Sequence, residues 1–234
     1  MGGDRAIITI DGPSGAGKST ISRELAGMLG YTYLDTGAMY RAVGLHLERT
    51  GIDLRGDGDR LAHLLAAIDL RLASNESGDV RVFLNGEDVS VAIRTPEMGM
   101  VASRVSAHPL VRRTLTELQR RLGALGGIIA EGRDMGTVVF PGAEFKFYLD
   151  AAPEVRARRR CEQLKDQGQT VAYEEILAQI IKRDRDDSAR ALAPLKPAAD
   201  AVIIDSSDLD IEGVVHSMLT VITRRQGGEP KNGE

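Results

Sequence analysis

Residues 6–20 read Ala6-Ile7-Ile8-Thr9-Ile10-Asp11-Gly12-Pro13-Ser14-Gly15-Ala16-Gly17-Lys18-Ser19-Thr20, and this stretch decides the fold. An apolar run rich in isoleucine comes first and a glycine-rich turn follows. Ile21, Leu25, Met28 and Leu29 then fall at helical spacing. From Gly12 to Ser19 the turn satisfies G-x-x-x-x-G-K-[ST], with strand, loop and helix in the order that motif requires. Glycines let backbone N–H groups curl round a polyphosphate without a Cβ in the way. The helix behind them offers roughly half a positive charge at its N-terminus. Gly12, Pro13, Ser14, Gly15, Ala16, Gly17, Lys18, Ser19 and Thr20 are therefore read as the loop for a nucleoside triphosphate. Lys18 reaches the β and γ phosphates, and the Ser19 hydroxyl is the natural Mg²⁺ ligand. The expected donor is Mg-ATP or Mg-GTP; the competing reading is a plain glycine-rich turn.

Outward from this unit, short apolar runs recur at Tyr33-Leu34, Gly127 to Ala130, Phe145 to Leu149 and Ala201 to Ile204. Runs that are continuous rather than alternating fit strands buried on both faces, which implies a parallel sheet with helical crossovers. The expected class is α/β, with a five-stranded parallel sheet flanked by helices. Val111, Leu115, Leu118 and Leu122 form a second helical stripe, and Thr95-Pro96, His108-Pro109 and Ala152-Pro153 put proline where a first helical turn tolerates it. Between Gly51 and Thr95 the pattern changes. An amphipathic helix around Leu61, Leu64, Leu65 and Ile68 precedes Val80 to Leu84, Asn85-Gly86 and a β-prone run from Asp88 to Ile93. Asn-Gly between β-prone runs signals a hairpin, so this region is read as an inserted subdomain. From Arg224 the chain turns polar and glycine-rich with nothing to bury, and a disordered tail is expected, at its narrowest residues 226–234.

The 234 residues suit one domain with an insert. With 30 basic against 34 acidic side chains the formal charge is −4, too balanced for a chain that coats nucleic acid, so any anion site must be local. Only six of the basic residues are Lys, and the Arg excess suits bidentate phosphate recognition, although codon usage explains it as readily. Cys161, the single cysteine, cannot form an internal disulfide and points to a reducing compartment. Met1 to Arg5 lacks a secretory pattern and no long apolar run occurs, so a cytoplasmic chain with no membrane span is expected. His46, His63, His108 and His216 lack ligand spacing, and no zinc site is expected.

Three further segments bear on the reaction. Asp35-Thr36-Gly37-Ala38-Met39-Tyr40-Arg41 follows the second strand and Glu131-Gly132-Arg133-Asp134-Met135-Gly136 the third. Ligands of open parallel sheets gather at strand carboxyl ends, so both segments should meet the phosphate loop in one crevice. The competing readings are a solvated helix position for Arg41 and a surface ion pair for Arg133-Asp134. In the third segment Arg183, Asp187 and Arg190 share a face if the helix continues, against a solvent-facing helix of alternating charge. Arg156, Arg158, Arg159 and Arg160 have an acid at i+4 only for Arg158, with Glu162, which leaves cations free for a mobile lid. A GTPase switch should carry Asn-Lys-x-Asp, which does not occur. Asp53-Leu54-Arg55-Gly56 is read as a turn. A binding-only ATPase module stays open, as does a kinase for UMP or another small phosphorylated acceptor.

Taken together these segments resemble bacterial cytidylate kinases of the nucleoside monophosphate kinase group, over about Ile7 to Ile222. The resemblance rests on the loop from Ile8, Leu-Asp-Thr-Gly-Ala-Met-Tyr-Arg from Leu34, Ile-Arg-Thr from Ile93, Glu-Gly-Arg-Asp-Met-Gly-Thr-Val-Val-Phe-Pro from Glu131 and Arg-Asp-x-x-Asp-Ser-x-Arg from Arg183. It implies a single P-loop kinase domain over residues 1–234, with a β-rich part of the acceptor region at residues 61–95 and a lid at residues 154–170. It implies transfer of the γ-phosphoryl group of Mg-ATP to CMP or dCMP; a monomer is expected. Arg41 and Arg133 would contact the acceptor phosphate, and Arg183 and Asp187 the ribose and phosphate. Thr36, Ser103, Arg112, Asp134 and Arg190 would surround the cytosine. Position 36 is Thr where some members carry Ser, and position 131 is Glu where some carry Asp, so hydroxyl and acid are retained. Lys18, Arg133, Arg156 and Arg160 are the candidate catalytic cations, and Ser19 the metal ligand.

Overall fold

In the computed structural model, residues 5–74, 80–166 and 168–226 are described. Strand β1 (Arg5–Asp11) leads into the glycine-rich loop and helix α1 (Lys18–Leu29). The chain continues through β2 (Thr32–Asp35), α2 (Thr36–Thr50) and α3 (Gly58–Ala66) to three short strands, β3 (Leu70–Ser74), β4 (Val80–Leu84) and β5 (Glu87–Asp88). Helices α4 (Pro96–Ser106) and α5 (Pro109–Leu122) bring it back to β6 (Gly126–Gly132) and a wide turn over Met135–Val139. The remainder is β7 (Phe145–Asp150), α6 (Pro153–Asp166), α7 (Tyr173–Ser188), β8 (Val202–Asp205) and α8 (Ile211–Gln226).

Five strands form one sheet in the order β2-β6-β1-β7-β8, every pairing parallel. Ile8, Ile10, Ile129 and Leu149 are completely buried, and so is Thr9 on the opposite pleat of β1. Burial of both faces is why the strands read as unbroken apolar runs; each such aliphatic side chain contributes about 1.5–3 kcal/mol. Because β1 lies between β6 and β7, the loops leaving β1, β2 and β6 open at the same sheet edge, where crossovers diverge. Gly12 makes this closeness feasible, since a Cβ there would lie 2.0 Å from the Leu149 carbonyl oxygen.

Helix starts follow the sequence signals. Asp35 caps α2 by accepting from the Ala38 amide at 2.8 Å, and Thr95 and His108 cap α4 and α5 just ahead of Pro96 and Pro109. The stripes fade at their outer ends, where Met28 and Leu122 are exposed. In the inserted region β3, β4 and β5 make a separate antiparallel sheet, and Asn85 and Gly86 turn with φ of 51° and 85°, the mirror-image turn that matches strand twist. The expected strand from Asp88 to Ile93 is cut short. Only Glu87–Asp88 pairs with β4, and Ala92–Arg94 coils into a tight 3₁₀ turn that buries Ile93.

Two further expectations are corrected. Helix α8 runs through Arg224 and Arg225, its Val214, Val215, Met218 and Ile222 buried in the main core, so the polar tail begins later than Arg224; the rest of the expected disordered segment lies outside the described residues. Helix α7 ends at Ser188, so Arg190 is not on its face. Helices α6 and α7 pack on each other around Ala157, Leu164, Ile176 and Ile180, a second small core apart from the main one.

Candidate active site

The phosphate loop, the start of α2, the turn after β6 and α7 line one cleft of about 1600 Å³. At the donor end, Gly15 and Gly17 have φ of 81° and 91°, and no side chain caps α1. The first amides of α1 are thus left for an anion. Lys18, 7% exposed, donates to the Pro13 carbonyl at 2.6 Å. Burial and the nearby Arg133 and Arg183 charges push its ammonium down to about 7, against Glu131 and Asp11, which favour the charge. A polyanion would relieve that repulsion.

Ser19 donates to Glu131 Oε1 at 2.7 Å, while Glu131 Oε2 is buried without a hydrogen-bond partner. Burial and then the Asp35 charge push the Glu131 carboxyl up, with Lys18 opposing. A hydroxyl beside a carboxylate with one orphaned oxygen is an all-oxygen donor set that fits Mg²⁺, an ion that takes one or two protein ligands together with substrate phosphates. Among the described residues no group of three or more His, Cys, Asp or Glu side chains could hold a metal ion. The buried Tyr33 hydroxyl lies against the same pair.

At the other end Asp187 is the hub. Its side chain is 1% exposed and accepts from Arg133 Nε at 2.9 Å, from Ser103 Oγ at 3.3 Å and from Arg190 Nη2, while Arg183 Nε stands at 4.0 Å. Burial opposes its charge, but Arg133, Arg190 and Arg183 outweigh burial and hold the carboxyl below the usual range. Arg190 reaches this hub from beyond the helix, also donating to Ser103 Oγ at 3.0 Å. A second buried pair, Arg112 to Asp134 at 2.7 Å, is braced by the Ser106 carbonyl and by the Tyr40 ring 5.6 Å from the guanidinium carbon. Arg41 pairs with Asp35 at 3.2 Å and leaves its Nε buried without a partner. Thr36 Oγ1 donates to the Glu131 carbonyl at 2.6 Å. Arg183 Nη1 donates to Ser14 Oγ at 3.1 Å, which joins the cation cluster to the phosphate loop.

Gly12, Pro13 and Arg156 do not line the cleft, whereas the other predicted residues do. Arg156 is 3% exposed and spent on the Ala151 carbonyl, the Ser14 carbonyl and Asp184, so the reading of a free cation does not hold for it. Arg159 is likewise engaged by Ser206, while Arg160, at the cleft wall, donates to Gln163 at 2.5 Å.

Matching this geometry, the family model for cytidylate kinase covers residues 8–224. The chain belongs to the cytidylate kinase family. It is 50% identical to the cytidylate kinase of Citrifermentans bemidjiense over 94% of its own length and 93% of that protein's, and 49% identical to that of Syntrophotalea carbinolica with the same coverage. A shikimate kinase from Bacteroides thetaiotaomicron is similar in structure at 14% identity, with a TM-score of 0.48 over 93% of this chain and 98% of the other. As a member of the cytidylate kinase family the chain is a nucleoside monophosphate kinase. Three residues sit inside the motifs quoted above, yet nothing in their spacing assigns them these roles: Asp184, which neutralises Arg156; Tyr40, which braces Arg112; and Asp11, whose carboxylate accepts from two backbone amides.

Proposed function

We propose that the protein transfers the γ-phosphoryl group of Mg-ATP to CMP or dCMP, forming ADP and the nucleoside diphosphate. The observation that carries this reading is the Arg183 to Ser14 link at 3.1 Å, which joins the loop for one polyphosphate to a half-buried cation cluster around Asp187 suited to a second phosphate. An ATPase module has no use for that second cluster.

The α1 amides and Lys18 hold the β and γ phosphates. Ser19 and Glu131 would hold Mg²⁺, which when bound would supply positive charge to offset the phosphate charge. Arg41 and Arg133 grip the acceptor phosphate, Arg183 and Asp187 its ribose side, and Thr36, Ser103, Arg112, Asp134 and Arg190 surround the base. Arg190, Arg112 and Asp134 offer fixed donors and acceptors, which suit the amide-like edge of cytosine. The acceptor is a phosphate monoester with a second pKa of about 6, ionised near neutrality, so no general base is needed. Catalysis then rests on alignment and on cations facing the spreading negative charge. Arg160, which lines the cleft beside Gln163, is the lid arginine with a guanidinium still available to that charge. The relatives' name supports CMP as acceptor.

Among the described residues no helix is long and apolar enough to cross a membrane. The single Cys161 supports action in a reducing compartment, the cytoplasm, on small nucleotides; a monomer is proposed. The test is a coupled assay of ADP formation across CMP, dCMP, UMP and AMP, with a control lacking acceptor. CMP and dCMP should be used best. ATP hydrolysis without acceptor at the rate seen with CMP would overturn the kinase reading, and a preference for UMP would reassign the base pocket.

A further inference from the structure

Asp11 ends β1 and directly precedes the phosphate loop, with a side chain 3% exposed. Its two oxygens are divided between two backbone amides just beyond β6, Oδ1 accepting from Met135 and Oδ2 from Gly136, both at 2.8 Å. These are the opening amides of the Met135–Val139 turn. Asp134 stands at the capping position of that turn, yet its side chain makes no capping bond there. It is turned instead to Arg112 at 2.7 Å. An acid at such a position ordinarily folds back on the amides that follow it. Here the role has passed to a residue of another strand.

We propose that Asp11 is a positioning residue for acceptor recognition, capping the 135–139 turn in place of Asp134 and so leaving Asp134 and the adjacent Arg133 aimed into the cleft. The proposal rests on the reading that these two side chains face the acceptor nucleotide. Packing supports the same assignment: a Cβ on Gly136 would lie 3.0 Å from Thr9 Oγ1 and 3.4 Å from Asp11 Oδ2, so the turn is seated directly on β1. A hydrophobic side chain could fill this volume but could not satisfy two buried amides.

The test uses the full chain. Asp11→Asn retains shape and one acceptor but sets an amide donor against one of the two N–H groups. Binding of CMP and of ATP is measured separately by calorimetry, with thermal unfolding as control. CMP should bind about tenfold or more weakly while ATP binding changes less than about threefold, and the KM for CMP should rise in parallel. Gly136→Ala pushes the same turn from the Thr9 side and should give the same acceptor-selective loss; it decides the matter if Asp11→Asn does not fold. Equal weakening of both nucleotides would make Asp11 merely structural and overturn the proposal, as would unchanged CMP binding. A parent protein that forms no CDP from CMP would instead overturn the reading of function.

Discussion

The Arg156 guanidinium donates to the Ser14 carbonyl at 3.1 Å and to Asp184 at 2.7 Å, so α6, α7 and the phosphate loop form one joined unit. Its Nε is used as well, on the Ala151 carbonyl at 2.7 Å. Three directions of donation need the planar fork of arginine. Arg156→Ala should therefore lower unfolding stability by about 3 kcal/mol, and Arg156→Lys should not restore it. Denaturant unfolding checks this, and an unshifted midpoint in Arg156→Ala would show the contacts to be dispensable. Arg160→Ala should leave stability within about 0.5 kcal/mol and slow transfer instead.

Asp187 holds three arginines that would otherwise repel one another. Asp187→Asn keeps the volume and removes the charge, so Arg133, Arg183 and Arg190 lose their common anchor. The KM for CMP should rise by about 30-fold or more, a cost of roughly 2 kcal/mol or above for unbalancing a buried charged cluster. The KM for ATP should move far less, because the proposed triphosphate grip, by backbone amides and Lys18, lies outside this cluster. Steady-state kinetics with each substrate varied in turn would show the contrast, and equal changes in the two constants would refute it.

Lys18 predicts a proton linkage. Burial, then Arg133 and Arg183, hold its ammonium down at about 7, and a bound triphosphate favours the charged form. At pH 8 the free site is largely neutral and the occupied one charged, so ATP binding should take up about 0.5 to 1 proton. Calorimetry of ATP binding in buffers of different ionisation enthalpy measures that number. Lys18→Arg, charged throughout, should abolish the uptake; uptake unchanged in that variant would assign the proton elsewhere.

Asp11 predicts a pH effect on stability. Burial raises its carboxyl to about 6, against the two amides that favour ionisation. The folded protein thus retains a proton that the unfolded chain, with a carboxyl near 3.8, has already released. Stability from this group is fully present below 3.8 and is lost as pH rises through about 6. Asp11→Asn does not titrate. The difference in unfolding free energy between variant and parent should therefore move toward the variant by about 2 kcal/mol between roughly pH 4.5 and 7.5. Urea unfolding at the two pH values tests the sign, and a difference that moves toward the parent would contradict it.

What was readable from the chain alone was local. The Gly12 to Thr20 loop, the five apolar runs, the proline-marked helix starts and the Asn85-Gly86 turn depend on steric rules and periodicities that act within a few residues, and each takes its expected place. Glu131, Arg133 and Asp134 were also visible, because strand ends of a parallel sheet must converge, and Arg183 and Asp187 were visible through their helical spacing. Which arginine is free and which is spent was not visible. Arg156 finds Ser14 across 142 residues, Ser19 finds Glu131 across 112, and Asp11 finds Gly136 across 125. No periodicity or spacing encodes such pairs. They exist because burial strips water from polar groups and forces each to take whatever partner the sheet order β2-β6-β1-β7-β8 has brought within reach.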